Sequence, residues 1–297
     1  MRQRLLAVGL IFGVVALLAL PGCIPTEEAT AERTGSFAVG EGAIDLEIVS
    51  SNGRVSIVGI DGLTTVEVTA TLRSRGETLA EATVRVAQID VQMTQDGNRI
   101  ILRYDASAHP FDVRRHSGVD FEVTVPALAN IEATTSNGRI EVREVAGILR
   151  LDTSNARIEV ADVVADLRAN TSNNRIRIER FEGILELDTS NGRIEMEDVD
   201  GVVNAETSNA GITFSGMLIP DVAHRMVTSN AQIHLAIRSD ASLIIDAETS
   251  NASIVSSLPL VGDTDGREWF ATLNPPAAGT LTLRTSNGQI TMHGIFQ

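Results

Sequence analysis

Charged side chains recur at fixed steps in this chain. Arg139, Arg157, Arg175 and Arg193 are each 18 residues apart, and Glu141, Glu159 and Glu195 follow two positions behind three of them. Asp152, Asp188 and Glu206 keep the same phase, with Asn170 between the first two. Carboxylates brought together on a surface can serve as acid and base. Some polysaccharide lyases cleave glycans from such a face, but from a long groove furnished with basic and aromatic residues. This chain has one Trp, one Tyr and eight Phe. Columns of opposite charge that offset each other on a solvated face are therefore the expected reading.

Other chemistry is sparse. The five histidines, at 109, 116, 224, 234 and 293, show no ligand spacing in the sequence, so neither a zinc site nor any other metal site is expected. There is no Gly-x-Ser-x-Gly elbow, phosphate-cradling glycine loop or dinucleotide fingerprint, so no catalytic residue and no cofactor are assigned. Net charge is −15, and removing residues 1–22, which carry two Arg and no acid, makes it −17. That disfavours DNA and RNA as partners.

The fixed step belongs to a repeated turn. Ser-Asn steps occur at Asn52, Asn137, Asn155, Asn173, Asn191, Asn209, Asn230, Asn251 and Asn287. From 137 to 209 they are 18 residues apart; the next two intervals are 21 and the last is 36, twice 18. After each turn apolar and polar residues alternate, as in Ile140-Glu141-Val142, and again in Leu149-Arg150-Leu151. A second corner lies between these strands, where Val145, Val163, Phe181 and Val199 are each followed two positions later by Gly or Ala. Asn and Asn-Gly favour left-handed turn conformations, which assigns them to the first corner.

An 18-residue unit is too short to bury its own apolar face, and stacking on copies buries it. The expected fold is all-β, a β-solenoid of two main strands and two corners per coil. Its asparagines would form a structural ladder, each amide bonded to the next. A left-handed hexapeptide helix is excluded, because Ile140 leads six positions on to Ala146 and then Asp152.

Residues 36–130 keep strand signals but lose the period: Ile44-Leu46-Ile48, Val55-Ile57, Val66-Val68, Val84-Val86, Ile100-Leu102 and Phe121-Val123. They are expected to form an irregular β section capping the solenoid, or a separate β-sandwich. Regular coils occupy 131–297, with insertions at 215–225 and 256–279. A further interruption lies at 105–118. Such insertions either bind partners or cover an edge. Leu281, Leu283, Asn287, Ile290 and Met292 complete a final coil.

Residues 1–22 form a targeting segment: Arg2 and Arg4, then an apolar run of 16 from Leu5 to Leu20, shorter than the ~20 residues of a membrane span. Leu20-Pro21-Gly22-Cys23 resembles the lipobox of bacterial lipoproteins. The resemblance implies cleavage before Cys23, the single cysteine, and lipidation there, with residues 23–35 as a tether. Ile24, not Asp, follows the Cys, which in Gram-negative sorting implies the outer membrane. The alternative is an ordinary secretory signal.

Repeated Ser-Asn-Gly-x-Ile/Val turns behind a lipobox resemble a bacterial family of β-solenoid proteins provisionally named adhesins and of unknown function. The resemblance covers about 37–295 and is carried by the nine turn asparagines. Gly211, Gln232, Ser253 and Gln289 depart from it by replacing the turn Arg. It implies an envelope-associated or secreted β-solenoid; the expected function is that of a lipid-anchored, non-enzymatic adhesion or scaffold surface of the cell envelope, with a cell-surface, protein or cationic-peptide ligand. The alternatives are an envelope-stress sensor that binds cationic peptides or a membrane partner, and a glycan-active enzyme.

Overall fold

The structure is a computed structural model that describes residues 11–14 and 26–295. Strands stacked in parallel dominate, as expected of a β-solenoid. The chain divides into two compact units, Met1–Val145 and Ala146–Gln297.

The first unit contains strands Ile11–Val14 (β1), Glu27–Ala38 (β2), Ile44–Val49 (β3), Val55–Ile60 (β4) and Thr65–Gly76 (β5), then helix Leu79–Ala87 (α1). Strands Gln92–Asp96 (β6) and Arg99–Arg103 (β7), helix Phe111–His116 (α2), and strands Ser117–Pro126 (β8), Ala129–Thr135 (β9) and Ile140–Arg143 (β10) complete it. β3 lies between β7 and β9, parallel to both, and β4 lies between β8 and β10 in the same way. β5 runs antiparallel to β8, and β2 runs antiparallel to β5.

Three expectations meet a different structure here. Ile11–Val14, assigned to the targeting segment, forms β1, paired antiparallel with β2. Residues 27–35, assigned to the tether, form most of β2, with Ala29 and Ala31 buried and α1 packed against the strand. Val84 and Val86, expected in a strand, lie in α1. Thr78 caps that helix, its hydroxyl accepting from the Glu81 N–H at 3.3 Å, and the Glu81 carboxylate accepts from the Glu77 N–H at 3.1 Å. Ala82 and Val86, four residues apart, form its buried stripe, while Val84 faces water.

The second unit contains Ala146–Thr153 (β11), Ile158–Thr171 (β12), Ile176–Thr189 (β13), Ile194–Thr207 (β14), Ile212–Leu218 (β15), Ala223–Thr228 (β16) and Ile233–Arg238 (β17). It continues with Leu243–Thr249 (β18), Ile254–Ser256 (β19), Leu260–Asp263 (β20), Glu268–Leu273 (β21), Thr280–Thr285 (β22) and Ile290–Ile295 (β23). β12, β13 and β14 pair in parallel with a constant step, so Ile158, Ile176 and Ile194 align, as do Leu167, Leu185 and Val203. All these side chains are buried and form the core columns.

The Ser-Asn corner is held by two files of side chains. Outside, Asn173 donates to Asn155 at 2.7 Å, Asn191 to Asn173 at 2.9 Å and Asn209 to Asn191 at 2.8 Å. In the first unit Asn137 donates to Asn52 at 2.8 Å. Inside, the residue before each Ser-Asn, Ser50 at the first turn and threonine at the others, is buried. Thr171, Thr207 and Thr228 donate to the carbonyls of Ala156, Gly192 and Ala210 at 2.9, 2.9 and 2.8 Å. Buried carbonyls need a donor, and a β-branched hydroxyl supplies one without leaving the strand.

The left-handed conformation belongs to the other corner. Its residues are Glu144, Asp162, Arg180 and Asp198, with φ of 57°, 58°, 47° and 56°. None of the turn asparagines has positive φ. Each left-handed residue turns the chain so that the next side chain, Val145, Val163, Phe181 or Val199, drops into the interior, where it is at most 3% exposed. Gly183 is required there, because a Cβ would lie 2.1 Å from the Ala165 carbonyl oxygen.

The last coil does not stack on the one before it in sequence order. β22 lies between β16 and β18, and β23 between β17 and β19, parallel in every case. The asparagine file therefore runs from Asn230 to Asn287 and then to Asn251, with amide bonds of 2.9 and 2.8 Å. β21 adds antiparallel to β18, and β20 to β21, so the insertion at 256–279 covers an edge that the chain's own last coil leaves free.

Candidate functional site

The sheet β4–β8–β5–β2 of the first unit has a recessed outer face. Alternation turns Ser56 and Val58 of β4, Glu122 and Thr124 of β8, Glu67 and Thr69 of β5, and Thr34 of β2 to this side. Register places them in rows: Thr34, Thr69, Glu122 and Ser56 in one, Ser36, Glu67, Thr124 and Val58 in the next. All of these except Ser36 line a cleft of about 370 Å³.

Its electrostatics are set by two carboxylates with single partners. Glu67 accepts from the Ser36 hydroxyl at 2.7 Å, and Glu122 is paired with Arg54. Asp120, in the adjoining row, accepts from the Arg54 backbone N–H at 2.7 Å and from the Arg73 guanidinium at 2.9 Å. Thr34, Ser56, Thr69 and Thr124 make no side-chain hydrogen bond to another described residue and remain available to a ligand. Hydroxyls that donate and accept, beside carboxylates that only accept, suit a ligand rich in N–H or O–H groups.

The predicted charge columns lie on the outer faces of the second unit, with a difference. Register sets Arg177 between Glu159 and Glu195, so that column alternates in sign. Glu159 is paired with Arg157 at 3.1 Å and Arg175 at 3.3 Å, and Arg193 with Glu195 at 3.6 Å. Arg180 grips Asp162 through two bonds of 2.6 and 2.7 Å, which raises its pKa. In the acidic column Asn170 donates to Asp152 at 2.8 Å. Asp188 abuts Glu206, and partial burial together with that neighbouring charge raises its pKa.

In the first unit Arg139 lies 3.6 Å from Glu141. The interruption at 105–118 contributes α2, with Val113 buried, and the His109 ring lies tilted at 49° to that of Tyr104, centroids 5.6 Å apart. In the second unit His224, within the 215–225 insertion, is buried; its ring accepts from the Val203 N–H at 3.3 Å and donates to the Ile219 carbonyl at 2.9 Å. Burial lowers its pKa. Cys23 and the rest of the lipobox lie outside the described residues. Among the described residues no helix is long and apolar enough to cross a membrane.

The cleft was invisible in sequence. Its residues come from four strands between positions 34 and 124, and each reads as an ordinary polar position of an alternating strand. Only the antiparallel return of β5 and β2 puts them side by side.

No family model and no curated protein matches this chain. Similar solved structures include a protein from Clostridium sporogenes provisionally named a cell adhesion protein, at 7% identity and TM-score 0.25, covering 89% of this chain and 100% of that one. Another, from Bacteroides fragilis and provisionally named an adhesin, shows 11% identity and TM-score 0.33 over 89% of this chain and 97% of its own. A third, from Parabacteroides distasonis and provisionally named a lipid-binding protein, shows 9% identity and TM-score 0.28 over 89% and 97%. Likenesses this distant carry no argument about activity or ligand, and the fold assignment rests on the strand pairings above.

Proposed function

We propose that this protein is a lipid-anchored, non-enzymatic component of the cell envelope that works as an adhesion or scaffold surface. The cleft of the first unit is the point of contact in this reading. The observation that carries it is that cleft's lining of four hydroxyls without side-chain partners beside Glu67 and Glu122. Such a lining offers hydrogen bonds to a partner's polar groups on a rigid sheet, and needs no rearrangement to do so. The lipobox ending at Cys23 supports the anchor.

The test joins both parts. Cells making the wild-type chain should incorporate a palmitate analogue into it and attach to surfaces, and Cys23→Ala should lose the label. Thr69→Val with Glu122→Gln should keep the label and lose attachment. Attachment that survives the cleft variant would remove the cleft from the reading, and an unlabelled wild-type chain would remove the anchor.

A second reading, binding of cationic peptides, is favoured by the charge of −17 after residue 22 together with the two cleft carboxylates. Binding that weakens steeply with salt would support it. Absence of binding at low ionic strength would end it.

A further inference from the structure

The position of the last coil brings together two histidines that sequence order keeps apart. Had the coils stacked in order, β19 would lie beside β17; instead β23 lies there, with Ala236 opposite His293 and His234 opposite Thr291. His234 and His293 are thus diagonal neighbours on the outer face of a parallel pair. Their ring centroids are 4.9 Å apart and the rings are inclined at 57°. Both side chains are exposed, and neither imidazole makes a hydrogen bond or ion pair with another described residue.

We propose that His234 and His293 together bind a first-row transition-metal ion of the nitrogen-preferring class, zinc or copper(II). A metal sits ~2.0–2.1 Å from an imidazole nitrogen, hence ~3.2 Å from the ring centroid. Two such rings at ligand angles of ~90–109° have centroids ~4.5–5.2 Å apart, which brackets the observed separation. The backbone is already fixed, since β17 is paired on both sides by β15 and β23, and β23 by β17 and β19. Little ordering cost remains beyond two exposed side chains.

The surroundings decide the kind of ion. Thr213, Ser215, Thr291 and Val255 flank the pair on the neighbouring strands, and none of them is a carboxylate. Calcium and magnesium want several oxygen ligands, often carboxylates, and are disfavoured. Arg238, the nearest cation along β17, is held by Asp240 at 2.7 and 2.9 Å, so its charge is balanced. Among the described residues no group of three or more His, Cys, Asp and Glu converges. Water therefore completes the coordination, which makes the site open and exchangeable. The ion joins the inserted last coil to the coil it packs on, so binding stabilises the C-terminal part of the second unit by mass action.

The test uses the full chain with zinc or copper(II) chloride in a buffer that does not chelate metal. Calorimetric titration should show one ion per chain, and the melting temperature should rise with each increase in zinc. His234→Asn and His293→Asn should each weaken binding by at least about tenfold and abolish the thermal shift, with the metal-free melting temperature unchanged. Calcium should give no shift. Wild-type binding retained in either variant would assign the ion to other groups and overturn the proposal, as would the absence of zinc and copper binding to the wild-type chain.

Discussion

Deleting residues 280–297 removes β22 and β23, and the cost can be worked from their burial and pairing. Leu281, Leu283, Ile290 and Met292 are each 0% exposed. Fully burying such a side chain stabilises a fold by about 1.5–3 kcal/mol, so the four together contribute about 6–12 kcal/mol. Whole domains are stable by only about 5–15 kcal/mol. Both inserted strands are bonded on two sides, so their loss also strips partners from β16 and β17 on one side and from β18 and β19 on the other. The shortened chain should lose its C-terminal coils as a block, while β12 to β14 persist as a frayed stack. Hydrogen exchange reads this directly: amides of Leu243–Thr249, protected in the full chain, should exchange at unfolded rates in the deletion. A last coil stacked at a free end would give the opposite result, with all earlier coils protected. Retained protection at 243–249 would refute the reasoning, either because the coil is peripheral or because Asn251 drops into register on Asn230.

Two further perturbations address the inner file and the buried histidine. Thr207→Val keeps the shape of a side chain only 2% exposed but takes the donor from the Gly192 carbonyl; it should cost about 1–3 kcal/mol in denaturant titration, whereas Thr213→Val on the outer face should stay within about 0.5 kcal/mol. His224 has a folded pKa below its unfolded value of about 6.5 because it is buried, so unfolding takes up a proton that the native ring resists. Stability should be full above that pH and decline as pH falls through the window between the unfolded and folded pKa values. An NMR titration placing the native ring at or above the unfolded value would contradict this.

The amino-acid sequence alone specifies the coil. Its 18-residue step, alternating strands, inward Val or Phe at one corner and Ser-Asn at the other are local properties, and a repeat forces neighbours into register because only that register buries every apolar column. It misassigned which corner is left-handed. Asn-Gly is a general preference, whereas Glu144, Asp162, Arg180 and Asp198 are held at positive φ because the buried residue after each must point inward.

The order of the coils is set by long-range pairing. Near-identical repeats can stack in almost any sequence, and composition does not distinguish coil 280–295 at the end from the same coil between β17 and β19. What settled the matter was the antiparallel cover at 256–279, which pairs with β18 and must leave the other side of that strand for β22. The cleft and the histidine pair are consequences of such long-range pairing. Their residues carry no local signal, because side chains far apart in a chain become neighbours only when the strands between them have chosen partners.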